Sequence, residues 1–273
     1  MSALVLTLRE APRQSVDASP LLPEHLAGLG ERQVAALPLH TGNRQIALGE
    51  LFEIAMGDAE TLVLRGATGR LDRMGQGMTR GEIRIEGDAG AYLGHAMRGG
   101  EIVAAGSADL FAGGAMTGGT LRIGGDAGDF LGGALPGERA GMSGGAVLVG
   151  GRAGDRAGDA MRRGLILVQG HVGDFAASRM IAGTLVVLGR CGTDPGYGMK
   201  RGTLLLGAQP ERRLATFNDN GRHELLWLRL LASYCARLGW QGRLPGADGG
   251  RVRRLTGDLA SGGKGEVLID EAP

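Results

Sequence analysis

The chain has 273 residues, enough for a large domain or two small ones, and its hydrophobic content of 43% argues against a disordered protein. The net charge of +1 indicates no global field for nucleic acid, and no apolar run approaches the roughly 18 residues of a membrane span. The first residues lack the basic start of a secretory signal, so we expect a soluble cytoplasmic protein. Glycine is the anomaly: its 53 copies lack the every-third-residue pattern of collagen and must serve a repeated backbone conformation.

Residues 1–60 predict an N-terminal cap with a lead-in strand. The segment LVLTL, which begins at Leu4, predicts a strand. The segment DASPLLPEHLAGL predicts a short helix capped at Ser19, with Pro20 at its first position. The segment RQIALGELFEI then leads into the next region. A cap is expected here because a stack of strands leaves an open edge at each end.

Residues 61–210 carry an internal repeat that methionine makes visible. From Met78 to Met199 the spacing between successive methionines is 19 residues, except for one gap of 26 that the seven-residue insertion Leu135–Gly141 explains. A glycine follows each methionine by three residues. The repeat methionines are Met78, Met97, Met116, Met142, Met161, Met180 and Met199. We interpret them as flexible core fillers; a metal or redox ladder is the alternative.

Each repeat contains a short strand with two inward apolar positions, because its apolar residues alternate. The first column is Ile83, Ile102, Leu121, Val147, Ile166, Leu185 and Leu204. The second is Ile85, Ala104, Ile123, Val149, Val168, Val187 and Leu206, and a later strand adds Ala89, Ala108, Ala127, Ala153, Val172 and Cys191. One strand per repeat cannot fold alone, so the repeats must stack. The prediction is an all-β protein, a parallel β-helix of about 7–8 coils.

Residues 211–273 predict a C-terminal helix and tail that pack on the stack. The segment HELLWLRLLASYCARLG has apolar residues at helical spacing and ends at Gly239. The last four strands also carry an outward apolar strip, which marks a packing surface: Leu148, Leu167, Val186 and Leu205. Either the C-terminal helix or another protein is expected to cover it.

No catalytic constellation is evident in the sequence. The five histidines show no metal-binding spacing, and Cys191 and Cys235 form neither a disulfide framework nor a metal set. The SGGKG segment around Lys264 lacks the full phosphate-loop spacing. We therefore predict no catalytic residue and no metal site on this chain.

Two polar columns and one basic rim are the remaining candidates for binding. The polar columns are Asp88, Ser107, Asp126, Arg152, His171 and Arg190, and Asp129, Asp155, Asp174 and Thr193. Stacked carboxylates could bind a cation, but we favour each aspartate accepting backbone N–H groups within its own turn. The basic rim follows the methionines and could hold a polyanion, although a solvated charged edge is the simpler interpretation. Its members are Arg80, Arg98, Arg162, Arg163, Lys200 and Arg201.

With the repeat established, the chain resembles the C subunits of the formylmethanofuran dehydrogenase family, in particular the version in bacterial formyltransferase/hydrolase complexes. The resemblance covers nearly the whole length and rests on the LGELFEI segment, on coils such as Gly87 to Gly94, and on the closing GDLASGGKGEVLI. The coils alone also resemble the C-terminal domain of glutamate synthase large subunits. The two flanking segments are therefore the more specific part.

The resemblance implies a right-handed winding and a non-catalytic role beside three other subunits: a formyltransferase, an amidohydrolase-like metal-dependent hydrolase and a dehydrogenase-B-like subunit. Such complexes pass a formyl group from tetrahydromethanopterin to a furan coenzyme with an oligoglutamate tail, and the bacterial version releases formate. This chain alone is expected to bind no cofactor and to contact neither nucleic acid nor membrane. Its possible contact with the coenzyme tail is the part of the rim formed by Arg163, Lys200 and Arg201.

Three alternatives remain open at this point. The chain could be an archaeal-type dehydrogenase subunit beside a molybdenum or tungsten partner, or a glutamate-synthase-type spacer domain. A β-helical carbohydrate enzyme is disfavoured, because it would need aromatic platforms and paired carboxylates, and only 4% of the residues are aromatic.

Overall fold

In the computed structural model, which describes residues 2–270, the chain is mostly β-structure organised around one large, mainly parallel sheet. The N-terminal region contains β1 (Ala3–Leu8), β2 (Val16–Asp17), α1 (Pro23–Leu26), α2 (Glu31–Ala35), β3 (Pro38–Thr41), β4 (Arg44–Ala47), α3 (Leu48–Leu51) and β5 (Phe52–Ala55). The repeats contain β6 (Asp58–Ala67), β7 (Leu71–Asp72), β8 (Glu82–Gly87), β9 (Glu101–Ala104), β10 (Thr117–Ile123), β11 (Ser143–Val149), β12 (Arg163–Val168), β13 (Thr184–Val187) and β14 (Thr203–Leu206). The C-terminal region contains β15 (Asn218–His223), α4 (Trp227–Arg237), β16 (Val252–Gly257) and β17 (Gly265–Asp270).

The predicted equivalence of the repeats is confirmed by the register of the sheet. From β6 to β14, each strand except β7 pairs in parallel with the strand of the following repeat, and β7 pairs with β2 in a second sheet. Ile83 pairs with Ile102, and Ile166 pairs with Leu185, as the first inward column requires. A second column of parallel bridges runs from Ala89 to Cys191. The residues of both columns are buried in one continuous core.

Strands from outside the repeats complete both ends of this stack. At the N-terminal end β1 pairs in parallel with β6, and β5 pairs antiparallel with β1. At the C-terminal end β17 pairs in parallel with β14, so that Val267 lies beside Leu204. β16 and β15 follow as antiparallel strands. The tail thus supplies one more layer of the same sheet, and the edge of the last repeat is covered.

The predicted position of the first helix is wrong. The helix α1 begins at Pro23, with Leu22 rather than Ser19 as its N-cap residue. The Asp17 carboxylate accepts the backbone N–H of Ser19 at 2.9 Å, which holds this segment in a turn. Pro23 takes the first helical position that was predicted for Pro20, because the N–H groups of Leu21 and Leu22 donate to Ala18 and Pro20 within the preceding turns.

The C-terminal helix is shorter than predicted, but it covers the outward apolar strip. α4 begins at Trp227, while His223 ends the strand β15. Leu228 and Cys235 on the inner face of α4 are fully buried, in one cluster with Leu167 and Leu205 of the strip. The interpretation that the chain's own helix covers the strip is therefore the one the structure supports.

Candidate functional site

The repeat methionines fill the interior and pack against the glycines of the next repeat. All seven have no exposed surface. The side chain of Met161 ends beside Gly183, where a Cβ atom would lie 2.9 Å from Cε of Met161. Met199 has the same relation to Gly265 of the tail strand β17, which again places β17 as the next layer. This packing supports a core-filling role and explains why methionine and glycine share one period.

The methionine carbonyls also position the residues that carry the basic rim. The carbonyl oxygen of Met142 accepts the N–H of Arg162 at 2.8 Å, and that of Met180 accepts the N–H of Lys200 at 2.7 Å. Between them, Met161 accepts the N–H of Ile181 at 2.8 Å. Equivalent residues therefore stand one per layer along the same edge of the stack.

Four cations on this edge form what we call the basic pocket. They are Arg162, Arg163, Lys200 and Arg201. These side chains, with Ser143, Ile181 and Ala182, line an open cavity of about 530 Å³. The rim predicted from the sequence is thus divided: Arg80 and Arg98 belong to earlier repeats and do not line the cavity. The three residues predicted to contact a coenzyme tail, Arg163, Lys200 and Arg201, do come together.

The cations of the basic pocket have no acidic partner within 4.0 Å among residues 2–270, although Lys200 interacts with the Asp258 carboxylate at longer range. Several other arginines have one: Arg122 pairs with Glu101 at 2.6 Å, and Arg254 pairs with Glu266 at 2.9 Å. No ion pair within 4.0 Å involves the four pocket residues in the described part of the chain. The Lys200 ammonium donates to the carbonyl oxygen of Ser261. Four neighbouring positive charges, of which only Lys200 interacts with a carboxylate, form a site that attracts anions.

The prediction that each aspartate accepts N–H groups within its own turn is wrong. The Asp155 carboxylate accepts the backbone N–H of Asp174, the equivalent residue of the next repeat, at 2.8 Å. Asp174 does the same for Thr193 at 2.7 Å. The N–H of Arg152 lowers the pKa of Asp126 in the other polar column in the same way. These side chains join adjacent layers because strand stacking brings equivalent residues close together.

An aromatic column went unnoticed in the sequence, although the repeat period contains it. The rings of Tyr92 and Phe111 stack with centroids 5.5 Å apart, and those of Phe111 and Phe130 with centroids 4.8 Å apart. Arg73 lies over Tyr92 at 5.2 Å, and Arg156 lies over Phe175 at 4.9 Å. These residues recur with the same spacing as the methionines, and this periodicity could have revealed them.

Asp159 is a buried carboxylate with local hydrogen-bond partners, whereas His95 Nδ1 and Trp240 Nε1 are buried without one in the described part of the chain. The Asp159 carboxylate is fully buried and accepts hydrogen bonds from the Ser178 hydroxyl at 2.5 Å and from the Arg179 guanidinium. Burial raises the pKa of the Cys191 thiol to about 12, which disfavours the thiolate. Over residues 2–270, no group of three or more His, Cys, Asp or Glu is arranged to hold a metal ion.

Parts of this sequence are similar to proteins of known function. No family model matches the sequence. A segment of 88 residues, 32% of this chain, is 45% identical to the C subunit of the formyltransferase/hydrolase complex Fhc of Methylorubrum extorquens. A segment of 99 residues, 34% of the chain, is 33% identical to the C subunit of the tungsten-containing formylmethanofuran dehydrogenase 2 of Methanothermobacter thermautotrophicus. These alignments span 33% and 37% of the two curated relatives.

A solved structure extends the similarity to the full length. The chain superposes with a TM-score of 0.91 and 44% identity on a chain of the formyltransferase/hydrolase complex FhcABCD from Methylorubrum extorquens, crystallised with methylofuran. The match covers 98% of this chain and 100% of that chain. This chain belongs to the family of formylmethanofuran dehydrogenase C subunits. The resemblance predicted from the flanking segments and the coils is confirmed.

The C-subunit family includes members from bacterial and archaeal complexes, and this chain shares more identity with the bacterial member. Within residues 2–270, no helix has both the length and the apolar character needed to span a membrane. The basic pocket brings together four cations of two repeats around one cavity. It is therefore the candidate binding site of the chain.

Proposed function

We propose that this chain is the non-catalytic structural subunit of a formyltransferase/hydrolase complex. The complex would transfer a formyl group from formyl-tetrahydromethanopterin to a furan coenzyme and release formate. The observation that carries the proposal is the full-length superposition on a chain of FhcABCD at 44% identity. The active sites would lie on three partners: a formyltransferase, an amidohydrolase-like hydrolase and a dehydrogenase-B-like subunit. The assembly would work in the cytoplasm.

The scaffold role suits a right-handed parallel β-helix of about 7–8 coils. The two parallel columns of equivalent residues support this winding, since one chain must return to the same edge once per repeat. Residues 1–60 would form the N-terminal cap, 61–210 the β-helix, and 211–273 the helix and tail. A rigid rod of this kind can hold partner subunits at fixed positions along its length.

Within this role, Arg163, Lys200 and Arg201 would contact the acidic tail of the furan coenzyme. The four cations that line the basic pocket support such a contact. Long-range attraction would keep a mobile polyanion near the protein without a tight, specific grip.

Expression with and without the partner genes tests the scaffold role. Purified alone, the chain should show neither formyl transfer nor hydrolysis, and a tagged chain should co-purify three further subunits. Robust hydrolysis by the single chain would refute the proposal. The tail contact is tested with the triple variant Arg163→Glu/Lys200→Glu/Arg201→Glu. The complex that contains this variant should retain less coenzyme, most visibly at low salt. The Arg80→Glu/Arg98→Glu variant is the matched control.

An archaeal-type dehydrogenase subunit is the second candidate, because tungsten-containing relatives share 33% identity over a third of the chain. Metal analysis of the purified assembly separates the two. Stoichiometric tungsten or molybdenum would favour the dehydrogenase, and formate release without either metal would favour the hydrolase.

A further inference from the structure

The aromatic column keeps large planar side chains at a strained corner of the turn. The backbone φ is 58° at Phe111, Phe130 and Phe175, a left-handed conformation that a Cβ atom disfavours. Two residues after Phe111 and Phe130 the φ is again positive, and there the chain uses glycine, at Gly113 and Gly132. Phe111 is buried between its neighbouring rings, whereas Phe130 and Phe175 are partly exposed. Strained backbone is concentrated at functional sites, so the retained rings indicate that this surface has a function.

Exposed apolar groups lengthen the column into a surface that we call the aromatic face. Leu110 precedes Phe111 in the chain and is 39% exposed, and Tyr197 is 53% exposed. The Tyr197 ring packs edge-on against Phe175, with centroids 6.1 Å apart. The aromatic face consists of Leu110, Phe130, Arg156, Phe175 and Tyr197. An exposed apolar patch with a polar border marks a site of protein interaction.

A row of aspartates borders the aromatic face. Asp129, Asp155 and Asp174 each precede a residue of the column by one position. Among the described residues, only Oδ1 of each accepts a hydrogen bond, from an N–H of the next layer at 2.8, 2.8 and 2.7 Å. Within residues 2–270 none of the three forms an ion pair within 4.0 Å, and Asp174 interacts with Arg212 at longer range. Layers lie about 4.8 Å apart, so these carboxylates repel one another and a cation beside them would be favourable.

The column itself shows which cation fits. Arg156 occupies the position that a phenylalanine takes in the layers on either side, with the same φ of 58°. Its guanidinium lies 5.9 Å from the ring centroid of Phe130 and 4.9 Å from that of Phe175. A guanidinium group stacks on aromatic rings and pairs with carboxylates through two parallel hydrogen bonds. An ammonium group carries the same charge but has no plane to stack.

We propose that the aromatic face docks an arginine-bearing segment of a partner protein, with guanidinium groups paired to the aspartate row and stacked on the exposed rings. Complementary charge selects such a partner, since an acidic surface would be repelled by the row. The row has one carboxylate per layer, which matches side chains three or four residues apart on a helix, because these lie about 5–6 Å apart. The inference rests on the proposed function only for the identity of the partner, which would be a subunit of the complex.

Titration of the full chain at low salt with hexa-arginine and hexalysine peptides tests this chemistry without a partner protein. Hexa-arginine should bind about threefold tighter than hexalysine, because only arginine adds stacking to the charge. Asp155→Asn keeps an acceptor for the N–H of Asp174 and should weaken hexa-arginine binding about threefold. Asp88→Asn is the matched control and should have no effect: Asp88 is also exposed, and it accepts the N–H of Ser107 at 2.8 Å in the other polar column. Equal affinity for the two peptides, or an equal loss in both variants, would overturn the proposal.

Photo-cross-linking in the assembled complex identifies the partner. The variant Tyr197→p-benzoylphenylalanine keeps an aromatic ring at an exposed position and should form an adduct with an arginine-containing peptide of another subunit. An adduct with a second copy of this chain, an adduct with an arginine-free peptide, or no adduct although three subunits co-purify would overturn the docking and leave the scaffold role standing. If no subunit co-purifies, the scaffold role fails, and the peptide titration alone decides whether the aromatic face binds arginine.

Discussion

Replacing Gly183 by alanine should lower the free energy of unfolding by about 3 kcal/mol. Two costs combine at this position. The backbone φ of +107° lies in the region that disfavours a Cβ atom, and the added methyl would lie 2.9 Å from Cε and 3.2 Å from Sδ of Met161. The backbone contributes about 1 kcal/mol and the displaced methionine the rest.

A double-mutant cycle separates the two costs. In a Met161→Ala background only the backbone carbon of Arg163, at 3.3 Å, stays close to the added methyl, so Gly183→Ala should cost only about 1 kcal/mol, a coupling of about 2 kcal/mol. Gly77→Ala measures the backbone cost alone, because φ is +72° there and no atom lies within 4 Å of the added methyl. Urea unfolding followed by circular dichroism provides the energies.

Gly100 offers the contrasting case. Its added methyl would meet the carbonyl oxygen of Gly81 at 2.6 Å as well as Cε of Met78 at 2.7 Å. Since the backbone cannot retreat, Met78→Ala should rescue Gly100→Ala far less than Met161→Ala rescues Gly183→Ala. If Gly183→Ala costs no more than Gly77→Ala, or if the two cycles give equal coupling, the packing explanation of the methionine–glycine period is refuted.

Three other changes probe the columns. Phe111, with φ of 58°, stacks between two rings, so Phe111→Gly should be about 1 kcal/mol more stable than Phe111→Ala, the reverse of the usual order, in urea unfolding. Asp155→Ala should cost about 1 kcal/mol because the N–H of Asp174 loses its acceptor. Asp155→Asn keeps an acceptor and relieves repulsion, so thermal melts should show it no less stable than the parent. Cys191, whose pKa is about 12, should react with a thiol reagent at pH 8 only as fast as the chain unfolds; rapid labelling of the folded protein would contradict its burial.

Some functional features could be predicted from the sequence because they depend on equivalence between repeats. The period showed that Arg163 and Arg201 follow methionines at the same offset, and therefore lie on one edge. It could not show that Arg80 and Arg98 lie outside the cavity, or that the pocket cations have no acidic partner within 4.0 Å among the described residues. Partners depend on which side chains from distant parts of the chain reach that edge, and no local pattern records this.

The helix α4 illustrates the same limit. Its apolar spacing predicted a helix, and the strip on the last strands predicted a covering element. Whether the two meet depends on the path of residues 207–226, including the strand β15, whose exposed polar sequence carries little hydrophobic signal. Only the tertiary structure showed Leu228 and Cys235 buried against the strip.

By itself the sequence determined the stacking register, because alternating apolar residues at a constant period leave a single arrangement that buries them all. It also determined the family, through segments that flank the repeat. The tertiary structure decided where side chains act across layers: the aspartates bond the next repeat, and four cations line one cavity. These features depend on the cross-section of each turn and on the directions of its side chains. The repeat period of the sequence specifies neither.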